Sequence, residues 1–274
     1  MKLNLNQLLF FFILFLNSSI YAQENVKVYS EKTKDGFNVY ADNPEYCPVT
    51  VAVDFRFTNI KLEMDKQSTF LIKENSKKVL LTTVTVLNRA KPSKFGYEYT
   101  ANYGDDKQTE YDKDFTYTLP FEKGNAFGLH QGYNGSFSHQ NENSLDFTMP
   151  VGTPVTAIRD GIVVKLVENN VLVCPKKECG QYNNYVIIYH SDGTFAEYTH
   201  LKRNGVLVKI GDKVTQGQVI ASSGNTGFSS GPHLHLMVYL QKLKERQTIE
   251  TKFKVGDGTK VEFLKEKETY SREY

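Results

Sequence analysis

The chain has 274 residues, of which 40% are hydrophobic and 23% are charged, and its formal net charge is +2. This composition excludes a disordered chain, and the nearly balanced charge argues against a nucleic-acid-binding protein. The length accommodates one large domain or two of medium size. All six histidines lie between His130 and His235, so we expect the chemistry of the protein to reside in its C-terminal half.

The N-terminus has the pattern of a secretory signal peptide. Lys2 precedes the apolar run 8–16, which is too short to cross a bilayer as a helix because about 20 apolar residues are needed. Small Ala22 follows a polar stretch, which predicts cleavage after residue 22. An uncleaved anchor is the alternative. We therefore expect residues 1–22 to be removed and the mature chain to be periplasmic or secreted, without a stable membrane span.

The first half of the mature chain has the periodicity of β-strands. In 49–58 apolar and mostly polar residues alternate, as they do in 95–103 and 115–121, and 79–87 is a further β-rich run. Such short runs, separated by Asn, Asp, Gly and Pro, are typical of a β-sandwich. We predict a sandwich-like accessory domain over 23–121 with a structural or positioning role.

The second half also has strand patterns and shows no long helical periodicity. Residues 122–135, rich in Gly and Asn, predict a connector. The strand-like runs that follow are 161–167, 185–189, 206–208 and 219–220. We therefore predict an all-β protein with its second domain at 136–245. A hairpin at 252–263 and a solvated tail complete the chain over 246–274.

Cys174 and Cys179 bracket a four-residue loop, and Cys47 lies far away in the chain. In an exported protein the close pair predicts either a disulfide or two free thiols, and the sequence leaves this open. The pair alone does not predict a zinc site, because no second pair accompanies it.

A His-Leu-His motif begins a strand-like run at residue 233. Residues two apart in a strand point to the same face, so His233 and His235 share one face. Leu234, Leu236 and Val238 share the other face and are expected in the core. Two adjacent imidazoles form a platform for a metal or for acid–base chemistry. The alternative is a surface strand with two incidental histidines.

Two further segments supply candidate groups. Strand alternation puts Ala196, Tyr198 and His200 on one face, with His200 at the strand end. His139 and Asp146 lie too far apart for one helical turn, so a loop must bring them together. Zinc binds His nitrogen and carboxylate oxygen, and a catalytic zinc site has three protein ligands plus water. Glu142 is the competing carboxylate, and spacing does not exclude it.

Together these motifs resemble the lysostaphin/LytM-type zinc metallo-endopeptidases over residues 131–239. The segments 149–157, 211–214 and 224–227 resemble connecting segments of that family in the same order. The resemblance implies an antiparallel β-sheet with the site in a groove, and cleavage of peptide bonds in bacterial peptidoglycan. It places the metal ligands at His139, Asp146 and His235, and the catalytic histidines at His200 and His233.

Two departures from the family pattern bear on substrate choice. The gap between His139 and Asp146 is longer than in the family's tightest form, and 171–182 is an elaborated loop. The HExxH helix of other metallopeptidases is absent, so a helical Glu base is not expected. His130 and Asn225 are candidates for substrate contacts, against a surface role and a turn-forming role respectively.

The sequence therefore predicts a secreted zinc endopeptidase acting on peptidoglycan, with metal-activated water and two histidines that share proton transfer and oxyanion stabilisation. The alternative is a non-catalytic regulator of the same fold that activates a separate cell-wall hydrolase. All five key residues are present, which favours the enzyme.

Overall fold

The computed structural model describes residues 25–274, so the predicted signal peptide lies outside the described residues. Nearly all regular structure in this range is β, which confirms the predicted fold class. The strands of the N-terminal part are β1 (Lys27–Lys32), β2 (Gly36–Asn43), β3 (Val49–Thr58), β4 (Ile60–Leu62), β5 (Gln67–Ile72), β6 (Ser76–Val86) and β7 (Lys94–Tyr103). The remaining elements are β8 (Thr116–Tyr117), β9 (Asn125–Gln131), β10 (Ser144–Phe147), β11 (Pro154–Thr156), β12 (Gly161–Val167), β13 (Val173–Cys174), a 3-10 helix (Lys177–Tyr182), β14 (Tyr185–Tyr189), β15 (Phe195–Thr199), β16 (Leu201–Val206), β17 (Lys213–Val214), β18 (Val219–Ser223), β19 (Gly227–Phe228), β20 (Leu234–Gln241), β21 (Arg246–Ile249), β22 (Lys252–Val255), β23 (Lys260–Phe263) and β24 (Thr269–Arg272).

Over residues 25–274, no helix is both long and apolar enough to pass through a bilayer.

The N-terminal strands form two antiparallel sheets, ordered β1-β2-β6-β4 and β5-β3-β7. Strand β3 buries Val49, Val51, Val53 and Phe55 between them, as its alternating pattern predicts. The paired strands end at β7, so the sandwich is shorter than the predicted 23–121. Strand β8 instead pairs in parallel with β22 near the C-terminus.

The second half is built on a nine-stranded sheet ordered β17-β12-β14-β15-β20-β10-β9-β24, with β21 also paired to β20. Strand β20 lies near its centre, between β15 and β10. Leu234, Leu236 and Val238 are buried in the core on one face of this sheet, as predicted from the alternation. The side chains of the intervening residues lie on the opposite face.

The predicted connector 122–135 contains a strand of this sheet. Strand β9 pairs with β10 on one side and with β24 on the other, and it buries Leu129 and Gln131. Pairing on both sides offsets the low strand propensity of Gly and Asn, because propensity is weaker than tertiary context. The tail predicted to be solvated supplies β24. The predicted hairpin at 252–263 is present as β22 and β23.

The sandwich packs on the large sheet, on the face opposite the Leu234 row. Met237 and Tyr239 of β20 join a buried cluster that also contains Phe195 and Cys47. The Phe195 ring stacks between Tyr239 and Tyr103, at centroid distances of 5.6 Å and 6.4 Å. The accessory domain therefore covers part of one sheet face.

Candidate functional site

Three side chains from separate segments converge on the large sheet. They lie on the face that carries the His235 side chain, in the part that the N-terminal sandwich leaves open. His139 Nε2 lies 3.2 Å from His235 Nδ1 and 3.2 Å from Asp146 Oδ2. His235 Nδ1 lies 2.9 Å from Asp146 Oδ1. Asp146 and His235 are direct partners in the β10–β20 register, so the sheet positions two of the three. The structure thus brings together the three residues implied as metal ligands.

Glu142 approaches the same cluster from its outer side. Its Oε1 lies 3.5 Å from Nε2 of His235, and single ligand atoms of His139, Glu142 and His235 all fall within 4.8 Å of one another. However, Nδ1 is the His235 nitrogen that faces Asp146 and His139. Asp146 therefore lies at the nitrogens of His139 and His235 that face each other, whereas Glu142 lies 3.5 Å from the other ring nitrogen of His235.

The backbone carbonyl of Gly132 accepts a hydrogen bond from Nδ1 of His139, at 3.0 Å. Nε2 of His139 is the ring nitrogen that faces the cluster. Gln131 donates its side-chain amide to Asp146 Oδ2 at 3.1 Å and to Ser138 Oγ at 2.8 Å. Sequence reasoning missed Gln131, because nothing in the Gly- and Asn-rich stretch distinguishes it from a loop residue.

The two predicted catalytic histidines lie side by side next to this cluster. The ring centroids of His200 and His233 are 4.5 Å apart. Nδ1 of His200 bonds the carbonyl of Thr226 at 2.7 Å, and Nδ1 of His233 bonds that of Gly231 at 2.8 Å. In both rings Nε2 is left to face the site, and Nε2 of His233 lies 3.8 Å from Asp146 Oδ1.

His200 does not share a face with Ala196 and Tyr198, so that prediction is wrong. Both of those residues lie in the core, whereas His200 lines the groove. The cause is its left-handed backbone, with φ of 66°. This conformation ends β15 and breaks the strand alternation. Backbone strain of this kind concentrates at functional sites.

The electrostatics of the cluster follow from burial and from the hydrogen bonds. Burial alone would raise the pKa of Asp146, but hydrogen bonds from His139 and His235 outweigh it and hold that pKa well below its usual range. Burial lowers the pKa of His235, but the hydrogen bond to Asp146 reverses the sign and raises it.

The pKa values of His200 and His233 are lowered, whereas that of His235 is raised. Burial, followed by the charge of neighbouring His233, lowers the pKa of His200 to about 3. Burial also lowers the pKa of His233. Both rings are therefore neutral near pH 7, and each presents a lone pair on Nε2 that can accept a proton.

All five residues line one groove of about 690 Å³, whose lining residues lie between His130 and Arg246. His130 and exposed Phe137 form part of its rim. Asn225 is not among the lining residues; its Oδ1 accepts a hydrogen bond from Ser229 Oγ at 2.6 Å. Of the two candidates for substrate contacts, the structure therefore brings only His130 to the groove.

A disulfide closes the elaborated loop beside the groove. Cys174 and Cys179 are bonded, with their Cα atoms 6.1 Å apart, and the enclosed Pro175 and Lys177 line the groove. Strand β13 pairs in parallel with β19, which follows directly after Thr226. The loop is thus attached to the segment whose carbonyl orients His200.

The remaining histidine, His190, lies outside the groove. It is fully buried, and its Nδ1 bonds the backbone carbonyl of Asp160 at 2.7 Å. A structural role accounts for these contacts.

Comparison with known proteins places this site in a family. The model of peptidase family M23 matches residues 140–248. The chain carries a peptidase family M23 domain. The predicted resemblance is thereby confirmed, and the M23 match contains Asp146, His200, His233 and His235, with His139 directly before it.

Relatives of the M23 domain include metallopeptidases of bacteria. A metalloprotease of Buchnera aphidicola is 44% identical over 98 residues, which are 36% of this chain and 23% of that protein. The peptidoglycan DD-endopeptidase ShyA of Vibrio cholerae is 44% identical over 93 residues, 34% of this chain and 19% of that protein. The chain thus spans about a quarter or less of the length of these relatives.

Among solved structures, the catalytic domain of the antimicrobial peptidase lysostaphin from Staphylococcus simulans is 30% identical. The match covers 47% of this chain and 88% of that domain, with a TM-score of 0.33.

Proposed function

We propose that the protein is an exported, zinc-dependent endopeptidase that hydrolyses peptide bonds in bacterial peptidoglycan. The observation that carries the proposal is the triangle of His139 Nε2, Asp146 carboxylate and His235 Nδ1. The M23 domain, and the names of the relatives as a metalloprotease and a peptidoglycan endopeptidase, support the reaction and the substrate class.

The triangle fits a zinc ion in both size and chemistry. Zinc binds His nitrogen and carboxylate oxygen at about 2.0–2.2 Å, so ligand atoms in a tetrahedral site lie about 3.3 Å apart. Here the two nitrogens are 3.2 Å apart, and each lies 2.9–3.2 Å from one of the two oxygens of the Asp146 carboxylate. Three protein ligands leave the fourth position of a tetrahedron for water or substrate. Bound zinc would lower the pKa of that water and polarise the scissile carbonyl.

His200 and His233 perform the proton transfers. Each ring is held by a backbone carbonyl at Nδ1 and is neutral, so each Nε2 can take the proton from the attacking water and pass it to the leaving amine. The imidazolium formed beside the site also stabilises the developing oxyanion. The short distance between the two rings means that the histidines share these roles.

Digestion of purified peptidoglycan tests the proposal. We expect the mature, zinc-loaded protein to release peptide fragments that mass spectrometry identifies, and His233→Ala to retain zinc while losing at least about a hundredfold in rate. Identical release by the variant and the wild type would contradict the assignment. A protein that binds no zinc and releases nothing, yet stimulates a second hydrolase, would establish the regulator alternative.

A further inference from the structure

A second cavity of about 440 Å³ adjoins the groove and shares His130, Phe137 and Thr148 with it. We call it the rim cavity. Its other walls are β9 and residues 266–269, all of which lie outside the M23 match. The groove therefore continues from the metal centre into a chamber built by segments that flank the family domain.

The floor of the rim cavity offers no strand edge to a peptide. The carbonyl of Gly128 accepts from the amide of Thr148 at 2.9 Å on one side of β9. On its other side, Leu129 donates to the Glu268 carbonyl and accepts from the Lys267 amide, both at 2.8 Å. A peptide that binds by strand addition needs such groups free. The ligand of this cavity must instead be recognised by side chains.

Those side chains combine one aromatic face with several polar groups. Phe137 is 74% exposed and stands on the wall shared by the two cavities. The polar residues that line the rim cavity are His130, Gln131, Ser136, Thr148, Glu266, Lys267, Glu268 and Thr269. A pyranose ring has an apolar C–H face and an edge of hydroxyl and amide groups, so it matches an aromatic platform bordered by hydroxyls and carboxylates.

The Phe137 backbone is fixed relative to the metal centre. The side-chain carbonyl of Gln131 accepts hydrogen bonds from the amides of Phe137 and Ser138, at 3.0 Å and 2.9 Å. The amide of the same Gln131 side chain donates to Asp146. One residue thus links the aromatic platform to a proposed metal ligand, which positions the platform beside the reacting bond.

We propose that the rim cavity is a saccharide subsite. In it, Phe137 stacks on an amino sugar of the glycan strand to which the peptide substrate is attached. This inference rests on the proposed function for the identity of the substrate, but binding of the sugar does not require catalysis.

Binding to the metal-free full chain tests the subsite directly. The probe is a soluble, peptide-free oligomer of N-acetylglucosamine, followed by calorimetry and by NMR shift mapping. Replacement of the ring in Phe137→Ala should weaken binding about tenfold. Phe263→Ala removes a partly exposed Phe outside both cavities and should leave binding unchanged. Absence of binding, equal affinity in the two variants, or shifts confined to the disulfide loop would overturn the proposal.

A kinetic comparison separates this inference from the proposed function. Two substrates carry the same cross-linked peptide, one with its saccharides and one from which they have been removed. Phe137→Ala should raise KM about tenfold for the first and change it much less for the second. An equal effect on both would assign Phe137 to the peptide and reject the subsite. If the wild type cleaves neither substrate, the proposed endopeptidase fails, and the binding experiment alone decides the subsite.

Discussion

One face of strand β20 has two halves: one is open to the groove, and the other is buried under the N-terminal sandwich. His233, just before the strand, and His235 open into the groove, whereas Tyr239 is covered by the N-terminal sandwich. Met237 lies between them: it joins the buried cluster and also borders the groove. The covered half is apolar and would expose a large patch without the sandwich. The open half carries groups that need access to substrate. The accessory domain therefore completes the core of the sheet and leaves the groove open.

An ion pair lies at the border between the two halves. Glu197 Oε2 and Arg246 Nη1 are 2.8 Å apart, and both residues line the groove. The Arg246 guanidinium also lies over the Tyr239 ring, 4.7 Å from its centroid. Charged groups thus cover the edge of the buried aromatic cluster where it meets the groove. Substitutions on either side of this border should have different consequences.

The largest effect is expected in the open half. His235→Ala removes one corner of the triangle, so zinc content and peptide release should both fall at least about a hundredfold, because loss of a ligand exceeds loss of an outer partner. Elemental analysis and fragment release measure the two. A variant that retains zinc and full activity would exclude His235 as a ligand.

In the covered half, a substitution should lower the stability of the fold. Tyr239→Ala removes a fully buried ring from the interface with the sandwich and should lower the free energy of unfolding by about 3–5 kcal/mol. Tyr239→Phe keeps the ring and serves as the control. Denaturant titration measures the change, and zinc per folded molecule should remain the same. If Tyr239→Ala lost zinc but kept the wild-type stability, the assignment of the covered half to stability would be contradicted.

A fall in pH should destabilise the folded protein through His190, which lies outside both halves of the β20 face. Burial lowers the pKa of His190 to about 4 from its ordinary 6.5, with Arg159, Asp192 and Asp160 as its charged neighbours. The unfolded chain therefore binds a proton that the folded chain does not. Stability from this group is present above pH 6.5 and is lost as the pH falls towards 4, by up to about 3 kcal/mol.

The difference between the wild type and His190→Gln isolates this group from other titrating residues. Melting temperatures between pH 7 and pH 4.5 should fall less steeply in the variant. Parallel pH profiles would show that His190 does not contribute.

The smallest effect is expected from the outer contact to the triangle. Glu142→Ala removes the carboxylate that lies 3.5 Å from His235 Nε2 and should weaken zinc affinity about tenfold, at the lower end for such contacts because the side chain is 35% exposed. Competition with a chelator measures the affinity. Glu178→Ala, in the disulfide loop, is the control. A loss as large as that of His235→Ala would make Glu142 the ligand in place of Asp146.

Most elements of the candidate site could be predicted from local patterns. The shared face of His233 and His235 follows from strand periodicity, and the core position of Leu234 and Leu236 confirms it. His200 shows the limit of the same rule, because its left-handed backbone reverses the face. Gln131 could not be found, since its role depends on long-range pairing between β9 and β10.

By itself, the sequence determined the all-β class, the family resemblance and the five residues that now line one groove, because these depend on short periodicities and motif spacing. Tertiary structure alone decided which carboxylate closes the triangle, since the register of β10 against β20 sets Asp146 opposite His235. It also made part of the predicted connector, residues 125–131, a strand paired on both sides within the sheet. In both cases backbone groups distant in the chain must pair with one another, and no local pattern specifies that pairing.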